Sequence, residues 1–178
     1  VAASLGAVLS RTNQGYRIEH IYRSEPDLPS QRAPLDRPDL DIKTGDIITA
    51  LNGNDVLKAR DISDLLLNQA DKQVLVQFLR GEQSKTVLVS PVNMIKHAQL
   101  RYSDWEQSIA SKVEQASGGK IGYLHLRAMG PADVASFARD FYANYQREGL
   151  IIDVRRNNGG NIDSWIIEKL LRKAWAFW

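Results

Sequence analysis

The sequence of 178 residues contains no cysteine. This absence excludes disulfide bonds, thiol nucleophiles and zinc sites with cysteine ligands, and it is compatible with either cytoplasm or periplasm. The sequence also has no run of about 18 apolar residues, so we expect no membrane span. Its first residues lack the basic-then-apolar plan of a signal peptide.

Blocks of like charge are missing as well. The 23 basic and 21 acidic residues are scattered and leave a net charge of +2, so we expect no nucleic-acid partner. The side chains that bind metals do not recur at the spacing of known metal sites, and the glycine motifs that bind nucleotides are missing. We therefore expect neither a metal nor a cofactor.

The chain has enough apolar residues, 43%, to bury one full core or two small ones. A break at Pro91 divides it into two predicted domains, 1–91 and 92–178. Alternating apolar residues predict five strands in the first domain, and a helix with Asp61 as its N-cap follows the third. Four prolines between Glu25 and Asp41 predict an exposed loop. The predicted strands are 5–10, 16–22, 47–51, 73–80 and 84–90, and the helix is 61–70.

Helices and strands alternate in the second domain. This order is typical of an α/β core with parallel strands. Pro131 and Gly149 fit the start and the stop of its second helix. The predicted helices are 102–116, 131–148 and 161–177, and the strands are 120–126 and 150–155.

The most informative segment is 149–161, where an apolar strand runs into Gly159 and Gly160 and then into a helix. Backbone N–H groups at such a junction have no intrahelical partner, so they can bind an anion or an oxygen that acquires negative charge. Glycine is also common in tight turns that have no catalytic role. The residues alone leave both interpretations open.

The segment Lys43 to Val56 resembles the G-D-x-I-x-x-I-N-G-x-x-V signature of PDZ domains, and the resemblance covers residues 4–90. It implies a β-sandwich or partly open barrel with one main helix. In PDZ domains a peptide adds as a strand beside an edge strand, and its terminal carboxylate sits among backbone N–H groups. The resemblance places that groove between residues 6–10 and the helix face of Ile62, Leu65, Leu66 and Gln69. The peptide-binding residues expected on the strand side are Leu5, Gly6, Ala7 and Val8. Leu5 and Ile62 also fit a plain role in the core.

Four segments of the second domain, taken in order, resemble the tricorn peptidase family, which is related to C-terminal processing peptidases. They are 120–126, 137–145, 149–155 and 157–160. The resemblance implies a PDZ domain followed by part of a crotonase-like α/β serine peptidase core. It also implies that Gly160, preceded by Gly159, contributes an N–H group to an oxyanion hole. Asn158 departs from the family pattern, which has a further glycine there.

The nucleophile and the base of a serine peptidase are not evident. Ser164 falls in the first turns of a predicted helix without a Gly-x-Ser-x-Gly elbow, which predicts a helix-surface serine. His20, His97 and His125 are isolated from any Ser–Asp motif and fit structural roles. The resemblance implies that the catalytic serine lies beyond Trp178 and the catalytic histidine before Val1, so we expect this chain to be inactive alone.

Two functions remain in competition. The chain is either part of a tricorn-like serine endopeptidase that acts on a peptide or protein substrate, or a non-catalytic PDZ module for peptide binding or assembly. A truncated core would leave apolar residues of the last helix uncovered, which predicts self-association through 161–178 or a homo-oligomer of the parent protein. The resemblance favours a periplasmic or exported protein over a cytoplasmic one. The uncovered residues would be Trp165, Ile166, Leu170, Ala174 and Phe177.

Overall fold

A computed structural model describes residues 1–25 and 28–171. The chain divides into two compact units, Val1–Gln107 and a second one that begins at Ser108. The domain boundary at residue 91 stays a prediction. Within the described residues, no helix is long and apolar enough to cross a membrane.

The first unit is built on a six-stranded antiparallel sheet. Its strand order is β2-β3-β4-β6-β7, with β5 paired to β4, so β2 and β7 form the edges. The short strands β1 and β8 pair separately. The strands are β1 Ala3–Ser4, β2 Ala7–Arg11, β3 Tyr16–Ile21, β4 Ile47–Leu51, β5 Asn54–Asp55, β6 Val74–Arg80, β7 Gln83–Val89 and β8 Val92–Asn93.

Period-two alternation explains why these segments form strands with one buried face. On β6, Val74, Val76 and Phe78 are fully buried, while the residues between them face outward to differing degrees. Gly81, with φ of +59°, makes the tight turn to β7 that the sequence predicts. The mixed α+β fold expected from the sequence is confirmed.

The helix predicted at 61–70 is much shorter in the structure, where α1 covers Ile62–Leu65. Asp61 is its N-cap as predicted, and its carboxylate accepts the N–H of Ser63 at 2.8 Å. The prediction of its length is wrong because Asn68 adopts a left-handed backbone, with φ of +58°, which a continuing helix does not allow.

The loop predicted to be exposed between Glu25 and Asp41 is buried at its middle, residues 33–35, whereas residues 29–31 and 37–39 are exposed as predicted. Ala33 and Leu35 are almost completely buried, and Ile42 belongs to the same core as the sheet. Arg80 on β6 binds Asp41 at 2.7 Å and Asp46 at 2.7 Å, which fixes the end of the loop to the sheet. Apolar residues between the prolines therefore carry the loop into the interior.

The helix α2 covers Met94–Ser117 and begins eight residues earlier than the predicted 102–116. The side chain of Asn93 accepts the N–H of Lys96 at 2.9 Å and so caps the first turn. Because α2 starts directly after β8, no connecting loop separates them.

The second unit contains the predicted parallel strands. β9, Ile121–His125, pairs in parallel with β10, Gly149–Asp153, and α3, Asp133–Asn144, connects them. The prediction of Gly149 as the stop of α3 is wrong, because α3 ends at Asn144 and Gly149 already pairs with Ile121. The last described helix is α4, Asp163–Leu171.

A second core lies between these strands and helices. Ile166 is buried with Leu124, Leu126 and Phe137, and the ring of Trp165 packs edge-on against Phe137 at 5.6 Å. The prediction that Trp165 and Ile166 have few intramolecular partners is therefore wrong. Leu170 is exposed as predicted, whereas Ala174 and Phe177 lie outside the described residues.

Candidate functional site

The loop after β10 brings Gly160 against the backbone of Met129. The N–H of Met129 donates to the carbonyl of Gly159 at 2.8 Å, and the carbonyl of Met129 accepts the N–H of Asn161 at 2.8 Å. Met129 thus forms a parallel bridge with Gly160 in which both hydrogen bonds go to the neighbours of Gly160. The N–H of Gly160 itself is directed away from Met129.

This approach requires glycine at position 160. The backbone has φ of +154°, and a Cβ atom would lie 2.0 Å from the carbonyl oxygen of Met129. Gly160 is exposed, and its N–H donates to no acceptor among the described residues. A donor in this state can bind an incoming oxygen atom without breaking an existing hydrogen bond.

Gly159 differs from Gly160 although the two are neighbours. Its N–H donates to Oδ1 of Asn157 at 2.6 Å, while Nδ2 of Asn157 donates to the carbonyl of Leu126 at 2.7 Å. Asn157 therefore fixes the loop to the end of β9 and occupies the Gly159 donor. The sequence reasoning missed this role, although an Asn two residues before Gly is the signal of an Asx turn.

A buried carboxylate fixes the start of the loop. Asp153 accepts hydrogen bonds from the side chain of Arg155 and from the hydroxyl of Tyr123, the latter at 2.8 Å. The Arg155 guanidinium, together with Tyr123, holds the pKa of Asp153 well below its ordinary value. Asp153 is therefore a permanent anion that orients the backbone leading to Gly160.

Each side chain considered as nucleophile or base is either exposed or held by a structural partner. Ser164 is exposed on the first turn of α4, as predicted. His125 is buried, and its Nδ1 donates to the carbonyl of Asp153 at 2.8 Å. His20 pairs with Asp104 at 2.7 Å, and Nδ1 of His97 lies 2.8 Å from Oγ of Ser4. Among residues 1–25 and 28–171, no group of three metal-ligating side chains is present.

The residues predicted to bind a peptide divide into two groups. Leu5, Ile62 and Leu66 are buried in the core of the first unit. Ala7 and Leu65 are partly exposed and pack against that core, and so does Leu9, which lies in the predicted groove segment 6–10. Val8 is 43% exposed, Gln69 is partly exposed and Gly6 is buried.

These features define a PDZ-like sheet followed by the start of an α/β core whose second strand ends in a glycine turn. The family model described as Tricorn protease PDZ domain matches residues 3–94, and that of Peptidase family S41 matches residues 120–176. The chain belongs to the tricorn protease family.

Curated relatives support this assignment. Tricorn protease homolog 1 of Streptomyces coelicolor is 36% identical over 95% of this chain and 16% of its own length. A putative tricorn-like protease C-terminal subunit of Sulfurisphaera tokodaii is 35% identical over 94% of this chain and 19% of its own length. The chain thus spans less than a fifth of the length of these two relatives.

A solved structure shows the same fold. The crystal structure of the tricorn protease superposes with a TM-score of 0.87 over 98% of this chain and 17% of that chain, at 24% sequence identity. The overlap extends across nearly all of this chain and confirms the expected fold class.

Proposed function

We propose that this chain supplies two parts of a tricorn-like serine endopeptidase, a peptide-positioning PDZ unit and one oxyanion-hole donor. The observation that carries the proposal is the state of the exposed residue Gly160. Its N–H is directed away from Met129 and donates to no acceptor among the described residues. Asn157 and Asp153 hold the backbone that leads to it.

The donor acts on the oxygen of the scissile carbonyl. As the nucleophile attacks, that oxygen gains negative charge, and a pre-oriented N–H stabilises it more than it stabilises the ground state. One such donor is worth about 3 kcal/mol of transition-state stabilisation. The nucleophile, its base and the second donor lie outside residues 1–178 in this proposal.

The PDZ unit positions the substrate in the same proposal. β2 is an edge strand. Its residues Ala7 and Leu9, and Leu65 of α1, are partly exposed and apolar. An extended peptide can pair with the backbone of such an edge, which gives affinity through main-chain hydrogen bonds.

The test uses the full-length gene product and peptide hydrolysis. Gly160→Ala must displace the loop because of the contact at 2.0 Å with Met129, so we expect kcat to fall by about 100-fold with little change in KM. Gly159→Ala is the matched control, since a Cβ there meets nothing within 4 Å and its N–H already serves Asn157. Equal kcat for both variants would remove Gly160 from the site.

The alternative is a binding or assembly module without hydrolysis. The three histidines favour this alternative, because each is held by a structural partner rather than paired with a candidate nucleophile. A fluorophosphonate probe separates the two functions, because it labels activated serines. We expect labelling of the full-length product outside residues 1–178 and none of this chain. An unlabelled full-length product favours the module, and labelling of Ser164 contradicts both.

A further inference from the structure

We infer that the PDZ unit takes an internal, extended segment of polypeptide on the β2 edge rather than a C-terminal carboxylate. The inference rests on the proposed positioning role of this unit and adds the kind of substrate segment that it accepts. Its basis is the state of the loop before β2, where PDZ domains capture the carboxylate with backbone N–H groups.

Gly6, the glycine of that loop, has both of its backbone polar groups occupied. Its N–H donates to Oγ of Ser4 at 3.0 Å, and its carbonyl accepts the N–H of Tyr22 at 3.0 Å. Oγ of Ser4 lies 2.8 Å from Nδ1 of His97, and burial lowers the pKa of His97, which favours a neutral ring that can accept the serine proton. The chain itself thus fills the position of the carboxylate oxygen with a serine hydroxyl.

The space beside Gly6 is also filled. A Cβ atom on Gly6 would lie 2.7 Å from Cδ of Pro34 and 2.8 Å from Cβ of Ala33, and all three residues are buried. These two neighbours come from the proline-containing loop that the sequence predicted to be exposed. A carboxylate in this position would lose its hydration without gaining the N–H donor of Gly6, which is costly for a charged group.

The opposite end of the groove is closed by Arg11, the last residue of β2. Its guanidinium donates to the carbonyls of Leu57 at 3.0 Å and Arg60 at 2.9 Å, just before α1. The hydroxyl of Tyr16 accepts the N–H of Ile62 at 3.3 Å and connects β3 to the start of α1. We assign the peptide to the edge between these two contacts, Ala7–Ser10, and the flanking parts of the segment leave the sheet at either end.

The open stretch itself remains suited to strand addition. The register shift between β2 and β3 pairs Val8 with His20 and Leu9 with Ile18, so the extra residue, Glu19, lies in β3. β2 keeps its regular alternation, with Ala7 and Leu9 toward the core and Val8 outward. Main-chain pairing with this short stretch of β2 requires an extended peptide segment, but it does not require the C-terminus of the peptide.

The test selects peptides on the whole chain from two random libraries of peptides of about ten residues. One library displays a free C-terminus, and the other is embedded in a carrier protein so that both ends are tethered. The best embedded sequence is then synthesised as a free acid and as a C-terminal amide, and both dissociation constants are measured by calorimetry. We expect enrichment from the embedded library and dissociation constants that agree within about threefold.

A free acid that binds about tenfold more tightly than the amide overturns this inference and leaves the peptide-positioning role intact. No enrichment from either library overturns both. Leu65→Lys locates the binding site, since it places a charge on the helix side of the predicted groove, and Leu67→Lys is its control because Leu67 is already 49% exposed. Binding that survives Leu65→Lys with a folded protein assigns the peptide to another surface and overturns the inference.

Discussion

The side-chain oxygen of Asn157 accepts the N–H of Gly159 at 2.6 Å, and this hydrogen bond separates the roles of two adjacent glycines. Gly159 shapes the turn with its left-handed backbone, at φ of +77°, and its donor is used internally. The donor of Gly160 remains directed outward. A single asparagine thus decides which of two consecutive amides already has an internal acceptor.

We expect Asn157→Ala to loosen this loop. The variant loses the hydrogen bonds to Gly159 and Leu126, which together stabilise the fold by about 2 kcal/mol. Amide hydrogen exchange at residue resolution should show fast exchange at Gly160 in both proteins, and an increase at Gly159 only in the variant. Equal exchange at Gly159 and Gly160 before substitution would contradict this assignment.

Gly6→Ala should destabilise the first unit by about 3 kcal/mol, because the new methyl group meets Ala33 and Pro34 and the backbone has φ of +73°. Gly53→Ala is the matched control. It has φ of +79° but no atom within 4 Å of the added Cβ, so it should cost only about 1 kcal/mol. Urea denaturation of the three proteins measures the difference, and equal losses would mean that the loop does not press on Gly6.

Acid should weaken the first unit through Asp41. Hydrogen bonds from Lys85 and Arg80 lower the pKa of Asp41 to about 2. Because the folded pKa lies below the unfolded value of about 3.9, this stabilisation is complete above the unfolded pKa and is lost as the pH falls through the folded one. Thermal unfolding measured across this pH range should show a smaller fall of Tm with acid for Asp41→Asn than for the unsubstituted chain. Parallel curves would exclude Asp41 as a source of the acid sensitivity.

The outer face of α4 should mediate self-association. Ile167 and Leu171 are 52% and 72% exposed and lie one turn apart, so they form a continuous apolar strip. We expect sedimentation velocity to show concentration-dependent dimers or larger species of the chain, and Ile167→Glu with Leu171→Glu to restore a monomer. Glu168→Gln, on the same helix, should leave association unchanged. A strictly monomeric chain at high concentration would be the contrary result.

The sequence predicted those elements whose formation depends on residues close together in the chain. The strand at 47–51 has the bounds of β4 in the structure, because its apolar residues Ile48 and Leu51 are buried in the core of the first unit. The cap at Asp61 was also predictable, because it depends on a hydrogen bond between residues two positions apart. The sequence did not predict the end of α1, because no distinctive pattern marks the left-handed backbone of Asn68.

Long-range contacts explain the remaining differences. The burial of Ala33 against Gly6 and the contact between Gly160 and Met129 join residues far apart in sequence. The same holds for Asp153, whose partner Tyr123 lies on the neighbouring strand. The sequence indicated which glycine to examine, but the direction of its N–H depends on the bridge to Met129.

In the proposed role of Gly160, the bridge to Met129 leaves a main-chain amide, rather than a side chain, to meet the substrate. An amide does not ionise in the range in which proteins remain folded, so this donor has the same strength in acid and in base. The pH–rate profile of the full-length protein should therefore report only on the groups that move protons elsewhere in that protein.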